Sequence, residues 1–106
     1  MHADITLFEE SVIEIVKSIP AGRVLTYGRI AILAGYPNHS RLVGKVLHHH
    51  PEAIHIPCHR VVNAAGRIAP GWTAQRTLLE NEKVKFKANG CVDLKSALWP
   101  IETIQL

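Results

Sequence analysis

Between Phe8 and Pro51 the apolar residues recur at intervals of three and four, and helix-stopping residues cut the run three times. That pattern points to short helices packed on one another. Phe8, Val12, Ile15, Val16 and Ile19 make the first stripe, and Pro20 with Gly22 ends it. A second helix is expected over residues 26–34, capped by Thr26 and closed by Gly35. A third is expected to open at Asn38 or Ser40 and run toward His50, where Pro51 stops it. Two helices joined by a tight turn containing glycine form a helix-turn-helix.

At 100° per residue, Leu42, Val43, Val46 and Leu47 fall on one side of the third helix, and Arg41, Gly44, Lys45 and His48 on the other. One face is core; the other is a small basic surface. Gly44 in that surface costs about 1 kcal/mol relative to Ala, which makes sense where a backbone or a nucleic-acid strand comes close. A recognition helix and an ordinary amphipathic helix with a solvated face fit this pattern equally.

Beyond His50 the texture changes. Ile54-His55-Ile56-Pro57 reads as extended chain, Val61-Val62 as a strand, and Asn63-Ala64-Ala65-Gly66 as the turn of a hairpin returning through Arg67-Ile68-Ala69. Thr73 is a cap candidate for a further helix with Leu78 and Leu79, and Val84, Phe86, Val92, Leu94, Leu98 and Trp99 supply more core. The expected fold is therefore mainly α: a winged helix-turn-helix-like three-helix core with a small β-hairpin. At 106 residues with 47% hydrophobic and 20% charged residues, residues 1–106 suit one domain. The net charge of +3 permits a polyanionic partner. The N-terminal residues do not read as a secretory signal, and no apolar run reaches the roughly 18 residues of a membrane helix. Cys58 and Cys91 lack a CxxC spacing, so neither a disulfide framework nor a zinc finger is expected. These features point to the reducing cytoplasm.

Pro57-Cys58-His59-Arg60-Val61 is the most unusual local sequence. A cysteine beside a histidine and an arginine has the ingredients of a depressed thiol pKa, and thiolate is the reactive form. Adjacent side chains need not face one another, and Cys58 as a small buried hydrophobe beside a core histidine accounts for the same residues. His48-His49-His50 are consecutive on a helix and diverge, so no metal site is expected from them.

The chain closely resembles the DNA-binding domain of the O6-alkylguanine-DNA alkyltransferases, the methylated-DNA–protein-cysteine methyltransferases. The likeness is carried by Ile19-Pro20-Ala21-Gly22-Arg23-Val24-Leu25-Thr26-Tyr27-Gly28, Arg41-Leu42-Val43-Gly44, Ile56-Pro57-Cys58-His59-Arg60-Val61-Val62 and Leu78-Leu79-Glu80-Asn81-Glu82. It implies that Cys58 accepts an alkyl group irreversibly, with no cofactor. His59 would take its proton through a water, and Glu82 would orient the imidazole. Arg41 would fill the base stack, Tyr27 would assist flipping and donate to the lesion base, and backbone groups at Cys58 and Val61 would read the guanine edge. Gly44, Lys45 and Arg60 complete the implied DNA-binding set, on a minor-groove partner: double-stranded DNA containing O6-alkylguanine, bound by a monomer, nucleoid-associated when engaged.

Three positions depart from the family pattern: His50-Pro51 in place of Asn-Pro, a shortened loop over residues 67–72, and Gln75 where Lys is common. All three resemble the alkyltransferase-like proteins, which bind the lesion without repairing it and direct it to nucleotide excision repair. Those proteins normally have Trp in place of the cysteine, and this chain keeps Cys58. Alkyl transfer is the expected function and lesion sensing the alternative. An ordinary helix-turn-helix regulator, which would dispense with Cys58, is a third.

Overall fold

The first apolar stripe becomes α1 (Ile5–Ser18), which buries Phe8, Val12, Ile13, Ile15 and Val16. The computed structural model describes residues 5–100, so the first four residues of the stretch read for a leader lie outside it. The next two helices are α2 (Tyr27–Leu33) and α3 (Ser40–His49). They pack on each other and on α1 through Ile30, Ala31, Val43 and Val46. Each such isoleucine or valine taken fully out of water contributes about 1.5–3 kcal/mol. The helix-turn-helix is present as expected.

Local chemistry sets these boundaries. Thr26 Oγ1 accepts from the Arg29 N–H at 3.2 Å, the expected cap. At the other end of α2, Gly35 takes φ +89°, the Gly35 N–H donates to Ile32 O and the Tyr36 N–H to Ala31 O. This paired closure satisfies carbonyls that the last turn would leave open. At α3 the cap position falls to His39, between the two candidates, and its side chain makes no capping bond.

Two short strands, β1 (Leu25–Thr26) and β2 (Val61–Val62), join the halves of the chain. The expected hairpin is replaced by a parallel pair with Leu25 opposite Val61 and Thr26 opposite Val62. The turn over residues 63–66 does form: Asn63 Oδ1 accepts from the Ala65 and Arg67 N–H groups at 2.9 and 2.8 Å. Its return limb then departs, because the Gly66 carbonyl accepts from the Val92 N–H at 2.8 Å. A Cβ at Gly66 would sit 2.6 Å from the Val92 carbonyl oxygen, so glycine is required for that docking. Pairing with β1 buries both faces of β2, which suits two adjacent valines. Val61 joins the helical cluster, and Val62 a second cluster with Val24, Leu79, Val84, Val92 and Ala97. Residues 51–55, partly read as extended chain, instead form a 3₁₀ turn (Pro51–His55) opened by Pro51.

The remaining helices are α4 (Ala74–Asn81) and α5 (Leu94–Ala97). Thr73 holds the cap position of α4 without a side-chain bond. The helix ends on Glu82, and Lys83 carries φ +70°. There the Lys83 N–H donates to Glu80 O and the Val84 N–H to Leu79 O, while Val84 and Leu79 pack in the same cluster. This is the closure seen after α2, made with a residue that pays a steric cost in that conformation. Lys83→Gly is expected to raise unfolding stability by about 0.5–1 kcal/mol, read by urea denaturation, with the slope unchanged.

Candidate functional site

Cys58 opens a second 3₁₀ turn (Cys58–Arg60), set by Pro57, whose carbonyl accepts from the Arg60 N–H at 3.0 Å. The thiol is half-buried and donates to the Ala53 carbonyl at 3.3 Å. Ala53 lies on the 3₁₀ turn that His50 caps, with His50 Nδ1 accepting from the Glu52 N–H at 3.1 Å. His50 thus braces the turn behind the thiol. Burial raises the Cys58 pKa, and a hydrogen bond to its own backbone only partly opposes this. The direction is opposite to the depressed value its neighbours suggest, because the His59 and Arg60 side chains both turn to another partner.

They turn to Glu82. His59 Nε2 lies 2.7 Å from Glu82 Oε2, and Arg60 donates from Nη2 at 2.8 Å and from Nε at 3.0 and 3.2 Å to the two oxygens. The Gly22 N–H adds a fourth donor at 3.3 Å, and Arg60 Nη1 reaches the Ile19 carbonyl at 2.7 Å. Burial by itself would raise the Glu82 carboxyl. Hydrogen bonds from Arg60, His59 and Gly22, with the charge of His59, overcome it and hold the group at about 2 against an ordinary 4.5. An ionised carboxylate only accepts, so His59 Nε2 carries a proton, and in the neutral imidazole Nδ1 is then the acceptor.

Two adjoining cavities open beside the thiol. The inner, of about 120 Å³, is lined by Tyr27, Gly44, Leu47, His48, Cys58, Ala69 and Trp72. The outer, of about 510 Å³, shares Cys58, Leu47, His48 and Trp72 and adds His59, Ile54 and Leu78 among others. Tyr27 follows the Thr26 cap, and its pKa is raised by burial and then by the nearby Cys58 charge, so the phenol stays protonated. Gly44 faces it: a Cβ there would lie 3.9 Å from the Tyr27 ring. Arg41 and Lys45 project from the exposed side of α3, and among the described residues no ion pair engages them.

Of the residues singled out from sequence, Cys58, Tyr27 and Gly44 share the inner cavity, with His59 in the outer one. Glu82 stands behind His59. The Arg60 guanidinium faces inward onto Glu82 and Ile19, and Val61 is buried with its carbonyl already accepting from Gln75 at 3.0 Å. Sequence reasoning missed Ala53, the bracing role of His50 and the buried amide of Gln75. The visible signals were His50-Pro51 and Gln75 as departures from the family pattern, and Gln75 four residues before Leu79, a polar residue on the core face of α4.

Glu82 gives the site a pH signature. Its folded pKa lies below its unfolded one, so the stability it adds is complete above about pH 4.5 and is lost as pH falls toward about 2. Unfolding stability is expected to drop across that window in the parent and to show a shallower acid slope in Glu82→Gln. His50→Ala is expected to cost about 1 kcal/mol through the lost cap, measured by urea denaturation.

Residues 7–84 match the family model for the 6-O-methylguanine DNA methyltransferase, DNA binding domain. Over 95 residues the chain is 43% identical to an Escherichia coli protein named DNA base-flipping protein, covering 87% of this chain and 74% of that one. It is 39% identical over 87 residues to the Mycobacterium tuberculosis methylated-DNA–protein-cysteine methyltransferase, covering 79% of this chain and 53% of the relative. The chain therefore spans about half the length of that methyltransferase. The crystal structure of Schizosaccharomyces pombe Atl1 in complex with damaged DNA containing O6-carboxymethylguanine superposes with a TM-score of 0.77 at 35% identity, covering 94% of this chain and 99% of that one. By sequence, by fold and by the order of its motifs, the chain belongs to the O6-methylguanine DNA methyltransferase family and carries its DNA-binding domain.

Proposed function

We propose that this protein binds O6-alkylguanine in double-stranded DNA from the minor groove as a monomer, flips the base into the paired cavities and transfers its alkyl group to Cys58. The observation that carries this reading is the position of Cys58 on the shared wall of both cavities, beside Tyr27 and the 2.7 Å His59–Glu82 pair. Arg41 fills the vacated stack from the exposed face of α3, and Lys45 meets phosphate. The protonated Tyr27 phenol donates to the base. The Cys58 proton passes through a water to His59 Nδ1, and the sulfur forms a bond to the alkyl carbon. The carbon–O6 bond breaks, its electron pair stays with the base, and a proton returns to give guanine. The product thioether is stable, so one protein molecule treats one lesion. Arg60 acts here by holding Glu82, and the buried Val61 by shaping the turn.

A second reading, lesion binding without transfer in the manner of a sensor for nucleotide excision repair, has its own support. The thiol is held by Ala53 and its pKa is raised, and the loop contributes Ala69 and Trp72 to the wall but no hydroxyl. Incubation with an O6-methylguanine duplex followed by intact-protein and peptide mass spectrometry separates the two. Transfer gives one methyl group per protein on Cys58; tight binding with no adduct leaves the sensor.

Because burial raises the thiol pKa, the transfer rate is expected to go on climbing with pH through and beyond the range in which an ordinary thiol ionises, as thiolate accumulates. A flat profile would assign the slow step to flipping. Cys58→Ala should abolish the adduct and retain lesion binding. Arg41→Ala should weaken base extrusion, followed with a fluorescent base analogue opposite or beside the lesion.

A further inference from the structure

Gln75 lies behind the cavities and takes no part in the chemistry above. It is fully buried on the inner face of α4. Its Nε2 donates to the carbonyls of His59 and Val61, both at 3.0 Å, and its Oε1 accepts from the Ala69 N–H at 2.7 Å. A primary amide offers two N–H donors and an acceptor oxygen, and here each kind is used. The two ends of the amide face different segments. The donors grip the main chain that follows Cys58, and the acceptor grips the loop that brings Ala69 and Trp72 to the inner cavity.

That loop has few other anchors. Among the described residues, the hydrogen bonds of residues 69–72 run within the loop or to Gln75: the Trp72 N–H donates to Ala69 O at 3.3 Å, and the Gln75 N–H donates to Trp72 O at 3.2 Å. Pro70, Gly71, Trp72 and Thr73 are exposed. With the Ala69 bond broken, this part of the cavity wall keeps only the bonds within the loop and from the Gln75 main chain, between Ile68 packed on the second cluster and the start of α4. A lysine at position 75 would keep donors for the two carbonyls and lose the acceptor, so the bond to Ala69 is what glutamine adds.

We propose that Gln75 is a positioning residue that sets the width of the lesion cavity, by locking the loop carrying Ala69 and Trp72 at a fixed distance from Cys58. It thereby limits the size of the O6 substituent admitted. This inference rests on the lesion-binding reading above and deepens it.

The test compares binding of the full chain, in a Cys58→Ala background that keeps the measurement at equilibrium, to undamaged, O6-methylguanine and O6-benzylguanine duplexes. Gln75→Met removes the clamp at its centre. Ala69→Pro removes the donor at the loop end and leaves Gln75 in place, at a position that already precedes Pro70 and so favours the extended region proline tolerates. In both variants the affinity for the benzyl lesion relative to the methyl lesion is expected to rise roughly tenfold, the factor one hydrogen bond supplies. Affinity for undamaged DNA should stay within about twofold, since no phosphate contact changes. Acrylamide quenching of Trp72 fluorescence, read in a Trp99→Phe background, should rise in parallel. A lowered melting temperature with the lesion ratio and the quenching unchanged would make Gln75 a purely structural residue and overturn the proposal. A change in Gln75→Met but none in Ala69→Pro would overturn it too, by moving the effect to His59 and Val61. If the parent does not prefer either lesion, the lesion-binding reading has failed, and unchanged quenching in the variants then refutes the clamp separately.

Discussion

The Glu82 carboxylate is the constraint on which the rest of the site depends. It gathers the chain after α1 through the Gly22 N–H, the reactive turn through His59 and Arg60, and the end of α4 through its own backbone. Arg60 extends the node to the Ile19 carbonyl. Charge-assisted bonds of this kind are about twice as strong as neutral ones, and removing one partner of a part-buried set leaves the others uncompensated. The carboxylate stands at the C-cap of α4, and the left-handed Lys83 turns the chain away directly after it.

The same node decides the electrostatics of the thiol. The Arg60 guanidinium and the His59 Nε2 are committed to Glu82, and burial raises the Cys58 pKa. What the arrangement offers instead is an oriented imidazole with Nδ1 as its acceptor. The site sits at the seam between the two apolar clusters. Val61 belongs to one and Val62 to the other, so the turn immediately before them is held from both sides. The cavity walls come from short elements around that seam: two 3₁₀ turns, the start of α2, one face of α3 and the loop pinned by Gln75.

Much of the helical half was legible. The period of Phe8, Val12, Ile15 and Val16 located α1, Thr26 and Gly35 marked both ends of α2, and the phase of α3 separated Val43 and Val46 from Arg41 and Lys45. The cysteine motif, with Tyr27 and Glu82 at their positions, carried the family. The partner of β2 was not legible, because a valine pair followed by an Asn-Ala-Ala-Gly turn suits a hairpin locally. The docking of Gly66 on Val92 and the burial of both valines override that preference. His50 and Gln75 read as departures from a pattern, and their hydrogen bonds turn them into a brace and a clamp.

The sequence by itself determined the helices, their stops and the identity of the reactive groups, because periodicity, caps and left-handed turns act over a few residues and side-chain chemistry does not depend on fold. The tertiary structure alone decided which cation meets which carboxylate, where the second strand pairs, and in which direction the thiol titrates. The first two join groups far apart in the chain, Arg60 with Glu82 and Leu25 with Val61, and the third follows from burial of the thiol. They are settled by competition for burial and for one shared carboxylate, which adjacency along the chain does not reveal.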